Sequence, residues 1–297
     1  MSITDLPTVV IVILNWNGWE DTLVCLHSLK KITYSQYHII LIDNGSSDNS
    51  VEILTKYQDS YISFIPLKDN LGFAKGCNYG MQYALKEMDP DYILLLNNDT
   101  SVEPDFLTKI VESAEKMGAG MTQPLILRMA NHQIIDTTGN YVSWGLAVGR
   151  GSDQINRNQY QDSKGLVGVS GACALYKVRM ICQIGMLDES FKHGHEDTEY
   201  GWRAVRAGWK SLLVPSAIIY HKGDVSGKKL LKTDPTALKK IFMDSARPCK
   251  MYGTHIQKIQ FIIRMLYYGC FSLAGKFLGR NKIGFTVYGV AIKEMLS

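Results

Sequence analysis

The feature that most constrains the fold is an alternation, within the first hundred residues, of short β-branched runs with stretches of helical periodicity. Val9–Asn15 is such a run, closed by Asn15-Trp16-Asn17-Gly18, and Trp19, Leu23, Leu26 and Leu29 then recur on one helical face. His38–Ile42 reads as a second strand, Tyr61–Pro66 as a third and Tyr92–Leu96 as a fourth. Between them Asp48 is expected to cap a helix bearing Val51, Leu54 and Tyr57, and Gly76–Lys86 is expected to be helical. Strands alternating with helices of this length form βαβ units, hence an α/β fold whose mostly parallel sheet is covered on both faces.

In such sheets ligands bind beyond the carboxyl ends of the strands. Three strand exits here are polar: Asn15 to Gly18, Asp43 to Asp48, and Asn97-Asn98-Asp99-Thr100. Turn-making and capping compete as roles for Asn17, Asn44 and Asp48. The fourth strand opens directly into two amides and a carboxylate, oxygen groups of the kind that hold Mg²⁺ or Mn²⁺ together with substrate phosphates. Capping of a helix starting near Pro104, within Glu103–Gly120, is the competing role for Asp99.

Downstream, residues 122–165 read as irregular and polar, with strand-like pieces near Ile134 and Tyr141 and a mobile loop over Gly149–Lys164. Glu196 and Asp197 fall at the start of a helical period, where carboxylates are favoured and a general base can face a pocket. Glu199 and Arg203 have i,i+4 spacing. Val214–His221 reads as a strand ending in a histidine, and Asn70–Asn78 as a Gly-containing turn entering a helix, whose N–H groups and Lys75 suit an anion. His193 and His195 beside carboxylates make a weak zinc signal.

Taken in order, Val9–Gly18, Ile42–Asp48, Asn70–Asn78, Leu96–Thr100, Gly168–Cys173, Glu196-Asp197 and His221 resemble family 2 inverting glycosyltransferases of GT-A fold, most closely their bacterial rhamnosyltransferase-like branch. The resemblance covers roughly residues 7 to 222. It implies that Asp43 contacts the pyrimidine base and that Asn15, Asn17, Asn70, Lys75, Asn97 and Asn98 line the nucleotide-sugar side. Asp99 and His221 become ligands or diphosphate contacts of a divalent cation, Mg²⁺ or Mn²⁺. Asp197 is similar to the catalytic base, with Glu196 beside it, and Ser170-Gly171 to the acceptor-side segment. The family's D-x-D motif has Asn97 in place of its first carboxylate. The implied reaction is one inverting displacement from a nucleotide-diphosphate sugar, with a leaning to dTDP-rhamnose, onto a glycan or lipid-linked acceptor in cell-surface polysaccharide synthesis.

The resemblance implies a catalytic domain over 1–222, with a nucleotide-sugar half to about residue 100 and an acceptor half after it, and an extension over 223–297. From Lys222 to the C-terminus fourteen Lys/Arg face four Asp/Glu, although the whole chain carries only +4. Ile256–Gly275 is apolar but interrupted by Lys258 and Arg264, so it falls short of a spanning helix and suits a membrane interface instead. A helical cap on the catalytic domain or on a partner subunit is the alternative, and the oligomeric state, a homodimer included, is left open. Pro248 is expected to end the helix that starts at Leu238 near Arg247. Six scattered cysteines and a polar N-terminus lead to the expectation of a cytoplasmic protein, peripheral on the inner face of the membrane. No nucleic-acid motif accompanies the basic tail. A nucleotidyltransferase would carry a Gly-rich basic signature after the first strand, which Asn15–Glu20 lacks. A non-catalytic sugar-nucleotide-binding protein would release no nucleoside diphosphate.

Overall fold

A computed structural model describes residues 6–192, 194–223, 237–277 and 285–297. The first hundred residues follow the expected alternation: β1 (Val9–Asn15), α1 (Trp19–Leu29), β2 (Tyr37–Asp43), α2 (Ser50–Thr55), β3 (Ile62–Pro66), α3 (Phe73–Glu87) and β4 (Tyr92–Asn97). Because β1, β2 and β4 lie between two helical layers, both faces of each are apolar. Val9, Ile11 and Ile13 pack with Leu26, Leu29, Ile110 and Ala114 on one face. Val10 and Val12 pack with Ala74, Cys77 and Met81 of α3 on the other. Helix α3 lies so close to β1 that a Cβ on Gly80 would come within 2.5 Å of Val12. Two expectations shift here. The N-cap of α2 is Asn49, although Asp48 Oδ1 does accept the Ser50 N–H at 2.9 Å, and α2 stops before Tyr57. Helix α3 starts at Phe73, three residues earlier than expected.

The segment that follows adds β5 (Thr100–Val102), α4 (Phe106–Met117), β6 (Met121–Arg128), β7 (Asn131–Thr137), β8 (Asn140–Ser143), β9 (Leu146–Gly149), β10 (Leu166–Gly168), β11 (Cys173–Lys177), α5 (Val178–Ile184), α6 (Glu196–Arg206) and β12 (Ser211–His221). Among the described residues the main sheet runs β3-β2-β1-β4-β11-β6-β12-β5, with β7 also paired to β6. Strands β3, β2, β1 and β4 are mutually parallel, whereas β11 is antiparallel to both β4 and β6. This mixed, mostly parallel sheet meets the GT-A expectation. A second sheet, β10-β8-β9, leans on α6. There a Cβ on Gly201 would overlap the backbone of Gly168, so helix and strand are in direct contact.

The expectation of irregular structure from 122 to 165 is corrected. Strand β6 is central and buried over Met121–Leu127. Thr122, Gln123 and Pro124 hide it in the sequence, because they interrupt the apolar run. Pro124 is accommodated because β11 pairs only as far as Thr122, which leaves the backbone nitrogen of Pro124 free of any ladder bond on that side. The segment after β9 is irregular as expected, yet the buried Arg150 donates to the carbonyls of Asp162 and Lys164 and so ties it down.

Helices α7 (Ala237–Tyr252), α8 (His255–Phe277) and α9 (Phe285–Leu296) form the C-terminal extension. Ala246, Cys249, Phe261, Met265, Ala291 and Met295 build a small core with Trp202 of α6. Pro248 lies inside α7, which continues to Tyr252. Proline removes one intrahelical bond there, and burial of the adjacent Cys249 against the extension's core opposes the break. Among the described residues no helix is long and apolar enough to cross a membrane, and all six cysteines are unbridged.

Candidate active site

Register brings the strand exits together. Asn15 pairs with Asp43 across β1 and β2, and Leu14 pairs with Asn97 across β1 and β4. The buried Asn15 amide donates to Asp43 Oδ2 at 2.7 Å, while its carbonyl accepts from Thr22 and Asn98. Both Asp43 oxygens also accept from Ser46, from its N–H at 2.9 Å and its hydroxyl at 2.6 Å. Asn17, at positive φ, accepts the N–H groups of Ser47 and Asp48 through Oδ1. Asn98 donates to Gly18 O and Thr22 Oγ1. Asn70 Oδ1 accepts from Asn44 and from the Gly72 N–H. Asn17, Asn98 and Asn70 therefore shape loops through their side chains. Lys75 is exposed on the first turn of α3, where the first N–H groups have no intrahelical acceptor.

The first chemical corner centres on His221. As the last residue of β12 it stands opposite Thr100 of β5 and Arg128 of β6. Its Nε2 is 3.2 Å from Asp99 Oδ1 and 3.3 Å from the Asn97 amide, and its Nδ1 is 2.8 Å from Asp136 Oδ2. Asp136 is held in turn by Arg128 at 2.9 Å. Burial opposes a charge on this ring, but hydrogen bonds that the ring donates to Asp136 and Asp99 outweigh it and hold the imidazole pKa up to about 9. Asp99 does not cap α4, whose N-cap is Asp105. Its carbonyl accepts the Lys222 N–H, and Lys222 is paired with Asp21 at 2.9 Å beside a depression of about 280 Å³.

Among the described residues no three His, Cys, Asp or Glu side chains form a ready metal cage. The donors at this corner nonetheless suit a divalent cation. Asp99 and the Nε2 of His221 point at one place, and Asp136 on the other ring nitrogen is the partner that fixes a ligating histidine. Two protein ligands match ions that fill their shell with phosphate oxygens and water.

The second corner lies at the start of α6. The Asp197 carboxylate accepts the Gly171 N–H at 2.9 Å and the Asn140 amide at 3.3 Å on Oδ2, and the Thr198 N–H at 2.6 Å on Oδ1. Glu196 beside it is buried, and burial, followed by repulsion from Asp197, drives its carboxyl pKa well above the ordinary range. Burial thus favours the neutral form of Glu196. His195 adopts a left-handed conformation as N-cap, and burial lowers its pKa. His193 lies outside the described residues. Glu199 and Arg203 are a structural pair at 2.8 Å, joined by the Tyr252 hydroxyl on Glu199.

One short backbone path connects the corners. The Asn97 N–H donates to Ala172 O at 3.0 Å, and the adjacent Gly171 donates to Asp197. Ser170, on the same loop, donates its N–H to the buried Gln123 at 2.7 Å. Three contributors escape the sequence reading: Asp136, Asn140 and Gln123. Each is a single polar residue in a hairpin or strand, and only the tertiary contact gives it meaning.

Residues 8–184 match the family described as Glycosyl transferase family 2, a span that contains Asp43 and Asp99 and ends before Asp197 and His221. A poly-beta-1,6-N-acetyl-D-glucosamine synthase of Staphylococcus aureus is 28% identical over 206 residues, 68% of this chain and 46% of its own, so the chain spans about half the length of that relative. An N-acetylglucosaminyl-diphospho-decaprenol L-rhamnosyltransferase of Mycobacterium tuberculosis is 26% identical over 231 residues, 68% of this chain and 72% of its own. Among solved structures, GalNAc-T7 with UDP, GalNAc and Mn²⁺ shares the fold at a TM-score of 0.63 and 21% identity, covering 81% of this chain and 48% of the other. S. aureus TarS 1-349 does so at 0.59 and 14%, covering 97% and 80%. With the polar strand exits and both carboxylate corners in the expected order, the chain belongs to glycosyl transferase family 2.

Proposed function

We propose that this chain transfers a sugar, with inversion, from a nucleoside diphosphate sugar to an acceptor hydroxyl, using Asp197 as general base. The observation that carries the reading is the bond from Gly171 to Asp197, one residue from the bond that ties Ala172 to Asn97. A base and an oxygen-rich corner held by one loop suit a displacement whose attacking and leaving groups lie on opposite sides of one carbon.

Asp197 takes the proton of the acceptor hydroxyl as its oxygen bonds to the anomeric carbon. The bond from that carbon to the diphosphate breaks, and the nucleoside diphosphate leaves with the electron pair. Asp99 and His221 Nε2 would hold a divalent cation, Mg²⁺ or Mn²⁺, which when bound offsets charge on the leaving diphosphate. Asp136 keeps the ring turned so that Nε2 faces Asp99. Glu196, kept neutral, adds no second negative charge beside the base. We assign residues 1–222 to the catalytic domain and 223–297 to its extension.

dTDP-rhamnose is the donor we favour and a lipid-linked saccharide the acceptor. The mycobacterial relative's name, which combines rhamnosyl transfer with a diphospho-decaprenol, supports both. The staphylococcal relative favours a second donor, an N-acetylglucosamine nucleotide. Nucleoside diphosphate release, measured with dTDP-rhamnose and with UDP-N-acetylglucosamine in the presence of Mn²⁺ or a chelator, tests the reading. Acceptor-dependent release that stops with chelator is expected. Turnover indifferent to chelator removes the cation, and no release with any sugar nucleotide removes the proposal.

A further inference from the structure

Helix α8 is apolar on two sides. Phe261 and Met265 face the extension's core. Ile256, Ile259, Ile263, Leu266 and Tyr267 fall within an arc of about 100° on the opposite side, along about 16 Å of helix. They are 47–69% exposed, and the first half of α8 places no polar residue among them. A surface helix of a soluble domain normally turns a polar face outward, so a bare stripe of this width marks a contact. Trp144, also 58% exposed, stands at the tip of the β8–β9 hairpin. That tip rests on α8: Arg264 donates to Ser143 O at 2.7 Å, and a Cβ on Gly145 would overlap the Gln257 carbonyl.

We infer that this stripe, with Trp144, is the face through which the protein lies on an anionic lipid bilayer. Charge selects the occupant. Residues 245–297 hold eight Lys/Arg and one acidic residue, Glu294. A second copy would bring the same positive charge against it, whereas an anionic leaflet complements it. Helix α8 does not qualify as a spanning segment, and an aliphatic stripe that includes a tyrosine suits the interface.

The same hairpin connects this face to the chemistry. Strand β8 begins at Asn140, which donates to Asp197, and ends in the turn that carries Trp144. Four residues of extended chain span about 13 Å. Resting on the proposed lipid-linked acceptor, this spacing lets a saccharide reach the base while its lipid stays in the leaflet.

Flotation of the full chain with vesicles of equimolar phosphatidylcholine and phosphatidylglycerol tests the face. Binding is expected there, weakened in pure phosphatidylcholine or in high salt. Ile259→Glu combined with Ile263→Glu should lower it about ten-fold or more, while circular dichroism and transfer to a water-soluble acceptor stay unchanged. Trp144→Asn, a residue suited to the positive φ at that position, should weaken binding without touching α8. Unchanged flotation of both variants overturns the inference, as does failure of the unmodified chain to float. A dimer dissolved by the paired α8 substitutions would then make the stripe a contact between copies. An error in the acceptor alone leaves flotation intact and removes only a preference for lipid-linked over soluble acceptors.

Discussion

The two carboxylate corners solve the same electrostatic problem in opposite ways. At β12, Asp99 and Asp136 flank one buried ring and raise the His221 pKa, so that the ring can hold a proton between them until a cation takes its place at Nε2. At α6, Glu196 and Asp197 are adjacent, and burial pushes the Glu196 carboxyl pKa up. One corner gathers carboxylates around a basic ring; the other buries one carboxyl beside the carboxylate we propose as the base. Position along a strand or a helix, more than residue type, assigns the role.

Four substitutions break or sharpen that contrast. Asp197→Asn should lower the turnover number by about 10²–10⁴-fold, the range for a lost general base. Mn²⁺-dependent nucleotide affinity, read by calorimetry, should change little, and an equal loss in both would merge the corners. Asp136→Asn should weaken Mn²⁺ binding in the presence of nucleoside diphosphate by about 10–100-fold, as for other outer partners of a metal-binding histidine. Paramagnetic resonance of Mn²⁺ reads this without turnover. Unaltered affinity would reduce Asp136 to a structural ion pair.

Gly201→Ala pushes a methyl into the Gly168 backbone. It should cost about 1–3 kcal/mol in urea unfolding, the usual penalty for overpacking, and should impair the base corner more than cation binding. The smallest effect concerns Glu196. Because its folded-state pKa is raised, the folded chain keeps a proton that the unfolded chain has already released. The stability it contributes is present below the ordinary carboxylate range and is lost as the pH rises toward the raised folded value. Glu196→Gln should flatten that part of the decline between pH values of about 5 and 8, as measured by denaturation midpoints across the range. An unchanged slope would mean that Glu196 is ionised in the fold.

Much of the first hundred residues was legible because the signals there are local. Strand β1 has the expected bounds, β2–β4 differ only by a residue or so at their ends, and each exit carries its polar residues on the strand itself. Asp197 at a helix start and His221 at a strand end were legible for the same reason. Strand β6 was hidden by Thr122, Gln123 and Pro124, whose burial depends on β12 and β11 lying alongside. Asn140 and Asp136 gain their roles from partners 57 and 85 residues away. No periodicity encodes a contact of that kind. Pro248 misled in the other direction, since a local penalty was offset by packing that the sequence does not display.

The loop from Ser170 to Ala172 has a consequence for how such a chain can diversify. Because one backbone segment touches both corners, the spacing between the base and the cation site that we propose is set by main-chain atoms that every sequence possesses. The neighbouring hairpins can then change length and side chains to suit different acceptors while the reaction coordinate keeps its dimensions. Novelty in what is glycosylated is thereby uncoupled from the chemistry of glycosylation.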